Sequence, residues 1–379
     1  MTAGPLNLPD VTMPDTAEWT SLLLQFATCS DYPGLLRLSR RVDAMAGRPG
    51  LADRLTPVRL GIVSSATVDL LLPVLRAALV AAGLRPIVHV EPYGQVTRSL
   101  VDAGGAFGEF RPQVTLVLTA TPHLPGWPPL GASMAEVERH VDQVCESLLG
   151  PCTTFHERTG SDLVLDTFPP LPWRPTGHFG AKLPADPTRF VHRVNLALGD
   201  RAPRYVHLHD VAALAERRGA ATWFDERYWY LAKQPIAFDC VGEYCRSLAA
   251  VVGAVLGRTR KCLVVDLDNT LWGGVIGDDG LSGIELGEGS AAGEAFKAFQ
   301  RYLQDLRTRG VLLAVCSKND DAVARLPFTS HPEMVLRLDD FVAFKANWDP
   351  KSENIRAIAR EINLGLDAFV FVDDNPAER

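Results

Sequence analysis

The 379-residue sequence has no run of five or more basic residues, no apolar stretch long enough to cross a bilayer and no C-x-x-C pair. Each absence excludes something. With 38 Lys plus Arg against 45 Asp plus Glu, and a net charge of −7, the chain lacks the basic face that nucleic acid or an anionic membrane would require. Its most apolar run, LLLPVLRAALVAAGL, is interrupted by Pro73 and Arg76 well short of a span. The opening MTAGPLNLPD has no basic leader region, so a soluble protein of the cytoplasm is expected. The seven cysteines are odd in number and scattered, which fits a reducing compartment better than a disulfide framework.

What is present is enough apolar material, 47% of residues, to bury two cores. Residues 1–14 read as a loose tail, and DTAEWTSLLLQFATCS and YPGLLRLSRRVDAM carry helical spacing, giving an N-terminal helical segment over 1–54. From there VRLGIVSS, RPIVHVE and PQVTLVLTA read as strands, and TVDLLLPVLRAALVAAG as a helix closed by Gly83. Alternation of this kind predicts a parallel sheet with helices on both faces, here over 55–257. The proline-rich TPHLPGWPPL and FPPLPWRP are expected as surface loops, and DCVGEYCRSLAAVVGAVLGRTR as a helix running into a basic connector. A second α/β domain follows over 258–379, with strands CLVVDLD, VLLAVCS and AFVFVDD and helices near AAGEAFKAFQRYLQDLRTRG and SENIRAIAREIN.

Each of these last three strands finishes in polar residues: Asp266-Leu267-Asp268-Asn269-Thr270, Ser317-Lys318-Asn319 and Asp373-Asp374-Asn375. Carboxyl ends of parallel strands are where ligands bind, because helix N-termini and free N–H groups converge there. Four carboxylates at one sheet edge repel one another unless a cation or a lysine neutralises them, and Lys351 opens the helix before the last strand. A hard cation such as Mg²⁺ suits such an oxygen cluster. A carboxylate so held, with a lysine and a serine beside it, has the parts to attack phosphorus.

In this respect the second domain resembles the haloacid dehalogenase superfamily of aspartyl-phosphate enzymes, whose four motifs occur in order over residues 261–375. The resemblance implies Asp266 as nucleophile and Asp268 as general acid/base, with Thr270, Ser317 and Lys351 holding the phosphoryl group. It further implies that Asp373 and Asp374 join Asp266 and the main-chain carbonyl of Asp268 around Mg²⁺. Asn319 and Cys316, next to Ser317, are weaker candidates.

DLDNTLWGGVIGDDG, CSKND, HPEMVLRLDDFVAFKANWDPK, FVDDNPAER and WFDERYWYLAKQP are together similar to the FkbH-like proteins of polyketide pathways, a likeness covering most of residues 55–379. It implies a bifunctional glyceryltransferase and phosphatase that takes the glyceryl group of 1,3-bisphosphoglycerate, a phosphorylated three-carbon substrate. The group would be loaded onto the phosphopantetheine arm of an acyl carrier protein. A plain phosphatase on a small metabolite, or an inactive carrier-binding module, stays open beside it. Only 51 residues separate Asp266 from Ser317 and 34 separate Ser317 from Lys351, so a capless site is expected, covered by the glycine-rich WGGVIGDDGLSGIELGEG alone. The same family likeness implies an SGNH-hydrolase-like first domain. There Ser65 is the residue to test, although the nearest Asp-x-x-His equivalent, Asp225 to Tyr228, ends in tyrosine. The expected fold is thus two Rossmann-like three-layer domains, SGNH-like and then capless haloacid-dehalogenase-like. Relatives of this kind continue beyond the position of Arg379, so the second domain is expected to be truncated.

Two other features read as structural. Cys262 and Cys316 sit in apolar strands, where free cysteine behaves as a small hydrophobe. His207 and His209 of HLHD share a strand face without a third ligand.

Overall fold

The run TPVRLGIVS forms strand β1 (Thr56–Ser64), buried without interruption from Leu60 onward, as a central parallel strand must be. β2 (Leu84–Val90) and β3 (Val114–Leu118) flank it, and β4 (Asp162–Asp166) and β5 (Val206–His209) extend the sheet to the order β2-β1-β3-β4-β5, every pair parallel. Alternation along the strands divides the core. Leu60, Ile62, Leu116 and Val164 meet the helices Tyr32–Ala46, Leu72–Ala81 and Phe238–Val255 on one face. Val63, Val117, Leu163 and Leu165 meet Met134–Thr159 and Pro187–Arg201 on the other. Pro73, which interrupts the long apolar run, occupies the first turn of its helix, where its missing N–H costs nothing.

This computed structural model describes residues 15–102 and 105–378, and the tail expected over residues 1–14 lies outside them. The chain divides into two units, Met1–Gly257 and Arg258–Arg379. The first helices are not a separate segment. Leu22 and Phe26 of Asp15–Thr28, and Leu35 and Val42 of Tyr32–Ala46, belong to the same apolar cluster as β1.

Gly61 marks the tightest point of that sheet. A Cβ there would lie 2.7 Å from the buried ring of Phe107 and 3.1 Å from Pro112. Gly61→Ala is therefore expected to cost about 1–3 kcal/mol through overpacking, read as a lower urea midpoint at unchanged slope. An unchanged midpoint would show that Phe107 has room to retreat.

The second unit repeats the logic with β6 (Cys262–Val265), β7 (Leu312–Ser317), β8 (Phe341–Ala346) and β9 (Phe369–Val372), in the order β8-β7-β6-β9 and all parallel. Val265, Leu313 and Val315 face one apolar cluster. Cys262, Val264, Ala314 and Cys316 face the other. The sequence reading placed three strands in this unit and did not mark β4 in the first. β8 is an edge strand with an irregular burial pattern, so it carries no clean apolar run. β4, DLVLD, is five residues long with an acid at each end.

The crossovers decide what surrounds the carboxyl edge. β6 reaches β7 through a glycine-rich excursion and the helix Ala291–Thr308, and β7 reaches Lys351 through the helix Asp321–Ser330 and β8. The excursion closes on itself where Gly273 and Glu285 exchange main-chain hydrogen bonds of 2.9 and 2.8 Å around the short helix Ile276–Gly283. Among the described residues no domain is inserted at either point. Nor is any described helix long and apolar enough to cross a membrane. None of the seven cysteines is bonded to another.

Candidate functional site

Asp266 is the first residue past β6, and its main chain still follows the sheet, with its N–H donating to Val372 at 2.9 Å. The chain then turns sharply. Asn269 adopts a left-handed conformation (φ 53°), which asparagine tolerates, and its Oδ1 accepts the Gly274 N–H at 2.9 Å. The turn leaves Asp266 and Thr270 buried at the strand end.

Lys351 supplies the opposing charge. Its helix Lys351–Glu361 follows β8, and the approach is fixed by a reciprocal amide pair: Asn347 Nδ2 donates to Asn354 Oδ1 at 3.1 Å, and Asn354 Nδ2 to Asn347 Oδ1 at 2.7 Å. The Asn347 N–H also donates to the Ser317 carbonyl at 3.2 Å, tying this loop to the end of β7. Held in this way, Lys351 is only 5% exposed, and its Nζ donates to Asp266 Oδ2 at 2.9 Å and Asp373 Oδ2 at 2.5 Å. Burial draws the ammonium down, but the bonds to Asp373 and Asp266 outweigh it and hold the lysine above its ordinary value. Burial raises the Asp266 carboxyl, with Lys351 and the Ser317 hydroxyl opposing.

Asp266, Asp373 and Asp374 each offer an oxygen within 4.8 Å of the others, the one such group of three or more ligating side chains among the described residues. Lys351 engages one oxygen of Asp266, while the other, Oδ1, is buried without a hydrogen-bond partner. An all-oxygen, carboxylate-rich donor set with a spare buried oxygen fits a hard divalent cation. The side chain of Asp268 stands outside this group. Its Oδ1 accepts from Trp272 Nε1 and the Ile276 N–H, both at 3.0 Å, and its Oδ2 accepts from Asn319 Nδ2 at 2.9 Å. Burial raises its carboxyl too, with Ile276, Trp272 and Lys351 opposing and Asp374 adding to the rise.

The structure thus gathers Asp266, Asp268, Ser317, Asn319, Lys351, Asp373 and Asp374 at one edge. Ser317 is 2% exposed, and the Thr270 hydroxyl is buried without a partner. Cys316 is not brought to the site. It faces the opposite side of β7, fully buried, with Sγ 3.7 Å from the Lys351 carbonyl, and burial pushes its thiol up to about 12. Its side chain lies in the apolar cluster on that face instead of among the carboxylates. Cys262 is likewise buried, its thiol pushed up to about 11. Trp272, Asn347 and Asn354 were not singled out from the sequence. Only the position of Trp272 four residues past Asp268 could have signalled it.

In the first unit, Ser65 Oγ accepts the Ala120 N–H at 3.0 Å, and the nearby His123 reaches the Ser65 carbonyl rather than its hydroxyl. Asp225 caps the helix Glu226–Ala232 and pairs with Arg227. His207 and His209 point at acids of β4: His207 lies 3.4 Å from Asp162, and His209, 1% exposed, lies 2.8 Å from Asp166 and 3.0 Å from Ser247 Oγ.

A parallel α/β unit with a carboxylate group and a buried lysine at the carboxyl edge is a haloacid-dehalogenase-like arrangement. Most of the chain is similar to a solved structure, the N-terminal part of the protein BF1531 from Bacteroides fragilis, described as containing a phosphatase domain and complexed with Mg. The two share 27% identity with a TM-score of 0.78, over 90% of this chain and 89% of that one. No protein-family model matches the chain, and no curated protein matches it.

Proposed function

We propose that the second unit is a Mg²⁺-dependent phosphatase working through a phosphorylated Asp266. The observation that carries this reading is Asp266 itself, with one oxygen held by Lys351 and the other buried and unpartnered beside Asp373 and Asp374. The similarity to a phosphatase domain complexed with Mg supports it. Mg²⁺ held by Asp266, Asp373 and Asp374 would neutralise phosphoryl oxygens during transfer. An Asp266 oxygen attacks phosphorus as the ester P–O bond breaks, and Asp268 gives the departing oxygen its proton. Asp268 then takes a proton from water, which attacks the phosphoryl group and frees Asp266. Lys351 and Ser317 fix the attacking carboxylate throughout.

The test is phosphate release from p-nitrophenyl phosphate. It is expected to require Mg²⁺, to stop with a chelator, and to fall by roughly four orders of magnitude or more in Asp266→Asn, as losses of a nucleophile do. Release that survives both treatments would reject the Asp266 route, and no release from the parent protein with Mg²⁺ present would favour an inactive binding module.

A narrower reading makes the enzyme a loader of carrier proteins in the cytoplasm: it transfers the glyceryl group of 1,3-bisphosphoglycerate, with loss of phosphate, to a phosphopantetheine arm. It is supported by the likeness to FkbH-like proteins and is compatible with the lack, among the described residues, of an inserted cap domain between β6 and Lys351. Intact mass of a holo carrier protein after incubation decides it. An unshifted carrier with continuing phosphate release would leave the plain phosphatase.

A further inference from the structure

The first unit holds a crevice that none of this chemistry uses. The helix after β1, Leu72–Ala81, packs on one face of the sheet, and the helix after β3, Met134–Thr159, packs on the other. The chain therefore leaves these two adjacent strands in opposite directions, and a gap opens beyond their carboxyl ends, the place where open parallel sheets take ligands. A crevice of about 640 Å³ lies there, within the range of small-molecule sites. Ser65 follows β1 in its wall, His123 lies beyond the end of β3, and Arg98 comes from the short helix Val96–Val101. Val96 and Pro151, half-buried, and Pro125, exposed, give it an apolar side.

Its charge is of one sign. No Asp or Glu lines it, although the chain as a whole carries a net charge of −7. The acids nearest to Arg98 in sequence are turned elsewhere: Glu91 is held by His89 at 2.9 Å and by the Ser99 hydroxyl at 2.6 Å, and Asp102 faces Gly105. Arg98 is exposed and makes no ion pair among the described residues. The polar groups opposite are open as well. Ser65 Oγ accepts the Ala120 N–H, which leaves its own proton to give. A carbonyl only accepts, so the 2.6 Å contact with the Ser65 carbonyl places a proton on His123 Nδ1 and leaves Nε2 facing no partner among the described residues. Trp229 and Tyr93 lie against that ring, their centroids 4.9 and 6.4 Å away, and fix its orientation.

We propose that this crevice binds a small organic monocarboxylate, its anion on the Arg98 guanidinium and its body along Val96, Pro125 and Pro151. The planar fork of a guanidinium matches a carboxylate in two parallel hydrogen bonds. One fixed cation balances one negative charge, which favours a carboxylate over the near-dianion of a phosphate ester. Ser65 Oγ as donor and His123 Nε2 as acceptor remain for a polar group on the body of the ligand. The crevice therefore takes a different chemical class from the phosphoryl site of the second unit.

The test titrates hexanoate into the full chain with ¹³C-labelled histidine rings, at fixed pH. His123→Gln identifies the His123 signal among the nine. Hexanoate is expected to shift that signal to saturation. Acetate, which keeps the charge and lacks the body, should bind at least about tenfold more weakly. Hexanamide, which keeps the body and lacks the charge, should bind at least about threefold more weakly. Arg98→Met should weaken hexanoate about threefold to tenfold, and Arg98→Lys by less, because the charge stays and only the fork is lost. Arg98 is exposed, so neither variant should move the urea midpoint. A His123 signal unmoved at about 20 mM hexanoate, well above a millimolar Kd, would overturn the proposal. So would undiminished binding in Arg98→Met, acetate binding as well as hexanoate, which is ion pairing at a surface arginine and nothing more, or hexyl phosphate binding more tightly than hexanoate.

Discussion

Replacing Lys351 by methionine is expected to destabilise the second unit by about 3–5 kcal/mol in metal-free buffer, the cost of stranding buried charge. Methionine roughly matches the reach of the lysine stem, so packing alone changes little. What is lost is the one cation among the described residues bonded to both Asp266 and Asp373, themselves only 6% and 3% exposed. Phosphate release should fall by about 10²–10³-fold or more, because no fixed positive charge then holds the attacking carboxylate or meets the phosphoryl oxygens. The pH dependence has a definite sign. Burial already raises Asp266 and Lys351 opposes that rise, so the variant's carboxyl should titrate higher still. A carboxyl raised by folding favours the folded state at pH values where it is protonated. The deficit of the variant should therefore be widest at neutral pH and shrink on acidification. Added Mg²⁺ should also narrow the deficit by restoring positive charge beside the same oxygens. Hydrogen exchange of the β6 and β7 amides reads this unit separately from the other. Unchanged protection of those amides in a chelator would mean that the carboxylates are not ionised together.

The sequence carried the site more fully than the sheets around it. Asp266, Asp268, Ser317, Lys351, Asp373 and Asp374 are legible because catalytic carboxyl edges concentrate unlike residue types at strand ends, and apolar runs such as CLVV show where those ends lie. β8 was missed because an edge strand half open to solvent need not be apolar, and β4 because five residues bracketed by acids resemble a loop. The Asn347–Asn354 pair was invisible for another reason. Its value lies in reciprocal geometry across a loop and a helix start, and two asparagines seven residues apart announce nothing on their own. The Asp166–His209–Ser247 chain likewise depends on β4 and β5 being neighbours, a pairing no local pattern encodes.

Asp268→Asn is expected to separate the two halves of the reaction. The side chain keeps its size, and an asparagine Oδ1 can still accept from Trp272 Nε1 and the Ile276 N–H. Its new NH₂ would meet the Nδ2 of Asn319, a donor facing a donor, but turning the Asn319 amide by 180° presents an oxygen instead. The unit should therefore stay folded with little loss of stability. Chemistry should not be spared, since an amide neither gives the leaving oxygen its proton nor takes one from water. Turnover is expected to fall by about 10²–10⁴-fold. With p-nitrophenyl phosphate, whose leaving group departs without protonation, the first transfer should survive while hydrolysis stalls, and Asp266 should accumulate as the acyl phosphate. Intact mass after a rapid acid quench would show one added phosphoryl group, absent from the Asp266→Asn, Asp268→Asn double variant. If turnover of Asp268→Asn matched the parent, Asp268 would be a member of the Trp272–Asn319 hydrogen-bond network and nothing more, and the proton would have to come from elsewhere on this edge.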